Sequence, residues 1–287
     1  MMKAAAPVHT LTVTILVDDD GGTESGRAEH GLSLWVDADR FRILFDSGSG
    51  GRLEENARQL AVDLAEADAF VVSHGHKDHT GGFSTVLSKC GKARIYLHPG
   101  ALGERYSRSR DGSVHAVGCP LTPGEDLARR DPFLHWTSGM TRLHPAVFVT
   151  GEVKRLSPPE APADHFFLDA GCTIADPLSD DQALVVDTVD GVVVLLGCSH
   201  AGVGNTLASA LSHLPTRRLR AVVGGMHLKD ASMEEITRAA DALEELGALT
   251  ICPCHCTGDR AKDYLRRRFP KAYVHGPVGT VVKLSGA

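Results

Sequence analysis

"VVSHGHKDHTGG", residues 71–82, places three histidines and an aspartate within six positions, straight after an apolar run. In an extended segment, residues i and i+2 project to the same side, so His74 and His76 can share one cation. Asp78 and His79 come where the chain must turn into a helix, and a turn redirects both toward a second ion beside the first. Imidazole with carboxylate suits zinc, with iron or manganese as alternatives. Gly75, Gly81 and Gly82 let the backbone bend closely around such a site. A solvated loop with capping histidines would account for any one of these residues. It does not account for four ligand-type residues in H-x-H-x-D-H order behind a buried strand.

Four ligands cannot complete two metal sites, so partners are expected at other strand ends. "VVVLLGCSHAG" (192–202) ends an apolar strand with Cys198 and His200. "LTICPCHCTG" (249–258) ends another with Cys254, His255 and Cys256, "AVVGGMHL" (221–228) a third with His227, and "FRILFDSGSGG" (41–51) a fourth with Asp46. Ligand-type side chains just past buried strands are where α/β scaffolds place their sites. Each alone reads equally well as a capping or internally satisfied residue; the coincidence of all of them does not. Two divalent ions about 3.5–4 Å apart can bridge a water and lower its pKa toward ~7, for attack on phosphorus or carbonyl carbon. Asp78 and Asp46 are the carboxylates assigned to that chemistry, Asp46 as a ligand-orienting group.

The rest of the chain sets bounds. Its 287 residues are 43% hydrophobic and carry a net charge of −6. Scattered Lys and Arg argue against a nucleic-acid surface, and no apolar run approaches the ~20 residues of a membrane span. Seven cysteines without a disulfide framework favour a reducing cytoplasm. The opening segment alternates with Thr like a strand, which argues against a signal peptide. Fifteen histidines are the compositional oddity and point to metal or acid–base chemistry.

Strands are read at 10–17, 32–36, 41–45, 69–72, 93–97, 146–150, 219–225, 248–253 and 279–284, from alternation and β-branched content. Helices are read at 51–61, 81–91, 204–214, 232–247 and 258–269, the fourth opened by a Ser232–Glu235 capping box and closed by Gly247. Residues 183–197 read as a hairpin turning at Asp190-Gly191. From about 99 to 181 the periodicity fades, which marks an insertion facing the substrate within a single domain of residues 1–287. Arg105, Arg108, Arg110, His144, Lys154 and Arg155 in that region either hold an anionic substrate or are surface charge. The whole suggests packed sheets with helices outside.

"SHGHKDHTGG" and "ILFDSG" resemble the signature motifs of the metallo-β-lactamase fold superfamily. "HGLSLWV", "IYLHPGALGERY", "VFVTGEVKR", "DQALVV", "GCSHAGVGNTL", "VVGGMHL" and "PCHCTG" carry the likeness further. Together they resemble the branch of 7,8-dihydropterin-6-ylmethyl-4-(β-D-ribofuranosyl)aminobenzene 5′-phosphate synthase-like proteins, over about residues 10–280. The resemblance implies an α+β fold, a four-layer αββα sandwich with a dinuclear centre at one edge of the paired sheets. By motif position it gives His74 and His76 to the first metal, Asp78 and His79 to the second, and His255 to the last histidine of the pattern. The superfamily usually has a histidine before the hairpin and an acidic bridging ligand after it; here "SDDQAL" precedes and "GCSH" follows. His200 is therefore expected to supply the missing nitrogen, with Asp181, Cys198 or no residue as the bridge. His227 is open between ligand and substrate contact, and His30 is expected to line the pocket. The "CPCHC" cysteines could instead form a separate zinc knot.

The function expected is a metal-dependent hydrolase of a phosphorylated small molecule or phosphodiester, acting through a metal-bound hydroxide. The partner is then a small anionic substrate, with self-association left open. The branch name implies a second reading: a transferase joining a dihydropterin diphosphate to a ribofuranosylaminobenzene phosphate. A third is a metal- or ligand-binding module without catalysis.

Overall fold

The computed structural model describes residues 6–22, 26–121, 133–156, 165–214 and 217–285. β1 (Thr10–Val17), β2 (Ser33–Ala38) and β3 (Phe41–Phe45) form an antiparallel meander. The tight β2–β3 turn takes Asp39 and Arg40 through positive φ. The chain then changes habit. Helix α1 (Leu53–Gln59) carries it to β4 (Ala69–Val71), parallel to β3. Helices α2 (Lys77–Thr80) and α3 (Phe83–Lys89) carry it on to β5 (Arg94–Leu97), parallel to β4.

Residues 99–181, expected as an insertion, contribute to three sheets. They supply the short strands β6 (Tyr106–Arg108), β7 (Val114–Ala116), β8 (Leu134–Trp136), β9 (Thr141–His144), β10 (Val147–Val149) and β11 (Phe166–Phe167). β8 extends the first sheet beyond β5, and β9 and β10 form the edge of the second. β11, β6 and β7 make a small separate sheet. The second sheet continues through β12 (Leu184–Thr188), β13 (Gly191–Leu196), β14 (Leu219–Gly225) and β15 (Thr250–Cys254). Its later strands are parallel, crossed over by α4 (Val203–Ser212) and α5 (Met233–Glu245). After α6 (Asp259–Arg268), β16 (Val281–Ser285) returns to pair with β1.

Three apolar clusters define four layers. One lies between the sheets, built from side chains such as Leu11, Val13, Phe45, Val71, Val193 and Val223. A second packs Leu53, Ala57, Phe83 and Val86 of the helices onto Phe70 and Leu44. A third packs Leu207, Ile236, Leu243 and Leu265 onto Val194 and Val222. This is the αββα sandwich. Observed helices are a few residues shorter than expected at their ends, and the capping box is present: Glu235 N–H donates to Ser232 Oγ, and Ser232 N–H to Glu235 Oε2. The hairpin turn falls one residue earlier than expected, at Val189-Asp190, because Gly191 pairs with Thr188 as a strand residue. No helix among the described residues is long and apolar enough to cross a membrane.

Candidate metal centre

The ligand-type residues converge where β3, β4, β13, β14 and β15 end together. The turns that carry them are strained. Asp46, Ser199, His227 and His255 have φ of 60°, 59°, 50° and 44°, a region side chains other than glycine rarely adopt. Such strain concentrates where a side chain must be aimed.

One set is three imidazoles. His74 Nε2 lies 3.1 Å from His76 Nδ1 and 3.2 Å from His200 Nε2. All three residues are buried. Burial, reinforced by the neighbouring imidazoles, pushes His74 and His200 well below the usual histidine range, and burial pushes His76 down to about 3. Neutral rings offer lone pairs. His76 Nε2 is buried without a hydrogen-bond partner.

The other set centres on Asp78. Its Oδ2 lies 3.2 Å from His255 Nε2, 3.4 Å from His30 Nε2 and 3.8 Å from His79 Nε2. Burial opposes the charge of Asp78, but His79 and His255 hold its carboxyl below the usual range. Each histidine here is braced from behind. His79 Nδ1 is 2.7 Å from Asp46 Oδ2, and the other Asp46 oxygen accepts the Ser73 N–H at 2.7 Å. His255 Nδ1 is 2.6 Å from Asp19 Oδ1, and Asp19 Oδ2 is 3.0 Å from His30 Nδ1. Asp46 is fully buried and does not line the cavity.

Cys198 Sγ lies 3.1 Å from His79 Nε2. It falls within 4.8 Å of donor atoms of His74 and His79, of His200 and His227, and of His255 and Cys256. It thus stands between the two sets. Asp181, the other bridging candidate, turns one oxygen to the Ala201 N–H at 2.9 Å. The His227 ring lies tilted against that of His200, centroids 4.3 Å apart, and the His227 backbone N–H donates to Cys256 Sγ at 3.2 Å. The "CPCHC" cysteines do not gather: Cys252 and Cys254 enter the inter-sheet core, while Cys256 faces Cys198.

A cavity of about 890 Å³ opens over these residues. Asp78, His76, His200, His227 and His255 line it, and so does His30. Phe166 of the small sheet packs against the His76 ring at 4.5 Å. Lys77, Arg108, Arg110, Lys229 and Arg238 stand on its walls. Of the insertion's basic residues, Arg105 is instead buried in ion pairs with Asp176 and Asp180.

The chain belongs to the metallo-β-lactamase superfamily, whose family description matches residues 26–255. Over 99% of its length it is 26% identical to the whole of the 7,8-dihydropterin-6-methyl-4-(β-D-ribofuranosyl)-aminobenzene-5′-phosphate synthase of Methanocaldococcus jannaschii. An uncharacterised protein of the same organism, MJ0448, is 27% identical over 94% of this chain and 99% of its own. Among solved structures, Tm1679, described as a metal-dependent hydrolase of the β-lactamase superfamily, is 32% identical, with a TM-score of 0.78. The match covers 96% of this chain and all of that one.

Proposed function

We propose that this chain is an enzyme acting on a small phosphorylated molecule, with metal-assisted hydrolysis as its reaction. The reading is carried by one observation: six donor-type residues from opposite halves of the sequence converge at one place, and four of them, His76, Asp78, His200 and His255, line a cavity whose walls include Lys77, Arg108, Arg110, Lys229 and Arg238. The donor set fits divalent metal. Burial holds His74, His76 and His200 below the usual histidine range, and the buried Nε2 of His76 lacks a hydrogen-bond partner. Against its burial, His255 is pushed the other way, well above that range, by Cys256, Asp19 and Asp78, the carboxylate whose charge a cation would share. His74, His76 and His200 would hold one ion; Asp78, His79 and His255 the other, with Cys198 between them. Mixed imidazole, carboxylate and thiolate donors favour zinc, with iron and manganese as alternatives. When bound, such a pair supplies Lewis-acid activation of water and stabilises developing negative charge.

The protein's own contribution is orientation. Asp46 and Asp19 stand behind the Nδ1 atoms of His79 and His255; by accepting their Nδ1 hydrogens they would leave each Nε2 to a metal. Asp78, kept ionised, adds the negative charge of the second set and faces the cavity. Arg108, Lys229 and Arg238 are placed to hold an anionic group away from the reacting centre.

A second reading, transfer of a dihydropterin group to a ribofuranosylaminobenzene phosphate, is favoured by the full-length likeness to the synthase and by a cavity large enough for two reactants. One experiment separates them. Metal-loaded protein is given bis-p-nitrophenyl phosphate and a panel of carboxylic esters, thioesters and lactams. In parallel it is given the pterin diphosphate with the aminobenzene riboside, with products read by mass spectrometry. Turnover in the panel supports hydrolysis, and a joined product supports transfer. No turnover in either, with any of zinc, iron or manganese, would sink the enzyme reading.

A further inference from the structure

The loop carrying His74 and His76 is gripped by residues far away in sequence. The Gly75 N–H, between the two histidines, donates to Asp180 Oδ2 at 2.7 Å. The same oxygen receives Arg105 Nη1 at 2.8 Å. Arg105 Nη2 donates to the Gly100 carbonyl at 3.0 Å, and Arg105 Nε lies 2.9 Å from Asp176 Oδ2. All three side chains are at most 3% exposed. On the opposite side of the loop, the Lys77 N–H donates to the Val117 carbonyl, and the Val117 N–H to the Arg105 carbonyl, both at 2.8 Å. A Cβ at Gly75 would lie 2.2 Å from the Ala101 carbonyl oxygen, so the loop also sits hard against the 99–102 turn.

Stability alone does not call for this arrangement. A buried guanidinium with two carboxylates leaves a net negative charge inside, and apolar residues of like volume usually serve stability as well or better. What the ionic cluster supplies is direction: a charge-assisted hydrogen bond to a single peptide, held at a fixed angle by a planar fork. We infer that Asp180 and Arg105 are positioning residues for the His74–His76–His200 set, Asp180 by fixing the Gly75 peptide and Arg105 by fixing Asp180. The inference rests on those histidines being metal ligands. It gives residues 99–181 a task besides walling the cavity: they aim one metal site and not the other.

The test is stepwise binding of zinc, with cobalt as a spectroscopic probe, to the metal-free wild type and to Asp180→Ala, Asp180→Asn and Arg105→Lys. His200→Ala and Asp78→Asn each remove one step and so assign the two. Melting of the metal-free proteins checks that each variant folds. Asp180→Ala should weaken the His74–His76–His200 step about 10–100-fold, as loss of ligand-orienting partners typically does. The Asp78–His79–His255 step should stay within a few-fold. Asp180→Asn keeps an acceptor for Gly75 and should lose less; it also serves if the alanine variant does not fold. Arg105→Lys keeps the charge without the fork and should fall between them. Equal weakening of both steps, or unchanged binding in the folded variants, would overturn the inference while the ligand reading stands. A wild type that binds neither zinc nor cobalt would overturn both.

Discussion

Asp46 and Asp181 are both buried carboxylates beside the site, and their partners set them apart. Asp46 receives the Ser73 N–H and the Ser73 hydroxyl and faces the His79 ring, so both of its oxygens have partners. Asp181 has the Ala201 N–H, and burial pushes its carboxyl up to about 7. An unfolded aspartate titrates near 3.9. Between about pH 4 and 7 the folded chain therefore keeps a proton that the unfolded chain has released. The unfolded state binds fewer protons there, so stability falls as pH rises through that window and levels off above it. The whole effect is on the order of 4 kcal/mol, from ~1.4 kcal/mol per pH unit. Asparagine offers Ala201 the same acceptor and does not titrate. Metal-free Asp181→Asn should match the wild type near pH 4 and exceed it in urea unfolding at pH 8. A gap between the two proteins that is the same at both pH values would show that the carboxyl is not raised.

The strands were readable because most are continuous apolar, β-branched runs buried on both faces of a four-layer sandwich, with alternation only at the start of β1; the failures lie where another contact overrode the local pattern. Gly191 looks like a turn residue, yet it sits in β13 at φ 130°, where a Cβ would meet the Arg218 carbonyl oxygen at 2.6 Å. The strands of the small sheet are two or three residues long, too short to show a period. Gly224 shows the same override at the site itself. It holds φ 127°, and a Cβ there would lie 2.0 Å from the Leu196 carbonyl oxygen. This contact sets how closely the ends of β13 and β14 approach, and those ends carry Cys198, His200 and His227. Gly224→Ala should therefore cost more than about 2 kcal/mol in urea unfolding, through backbone strain and the forced separation of two central strands. A loss below about 0.5 kcal/mol would mean that the strands can part without consequence.

The donor-type residues that converge at this edge were legible in the sequence because metal chemistry admits few residue types. Their supports could not, because they exist only once distant segments close. Asp19 reaches His255 across 236 positions, Asp180 reaches Gly75 across 105, and an aspartate or serine carries no mark of such a task. That closure also sets what the proposed metals would do for the molecule. His74, His76, Asp78 and His79 extend from the first sheet, and His200 and His255 from the second, so bound ions would tie the sheets at one edge. They would not be needed to hold the sheets together, because the inter-sheet core from Leu11 to Leu284 is already closed. Ligand that binds only the folded chain stabilises it by about 4 kcal/mol at a thousand times its dissociation constant. Chelation should thus lower the melting midpoint by on the order of ten degrees and leave a cooperative transition. Amide exchange should quicken in residues 73–80, 197–202 and 253–257 and stay slow in β1, β2, β12 and β13. Global unfolding on chelation would mean that the core is too weak to close the sheets unaided. An unchanged midpoint and exchange pattern would mean that the two sheets do not share metal at this edge.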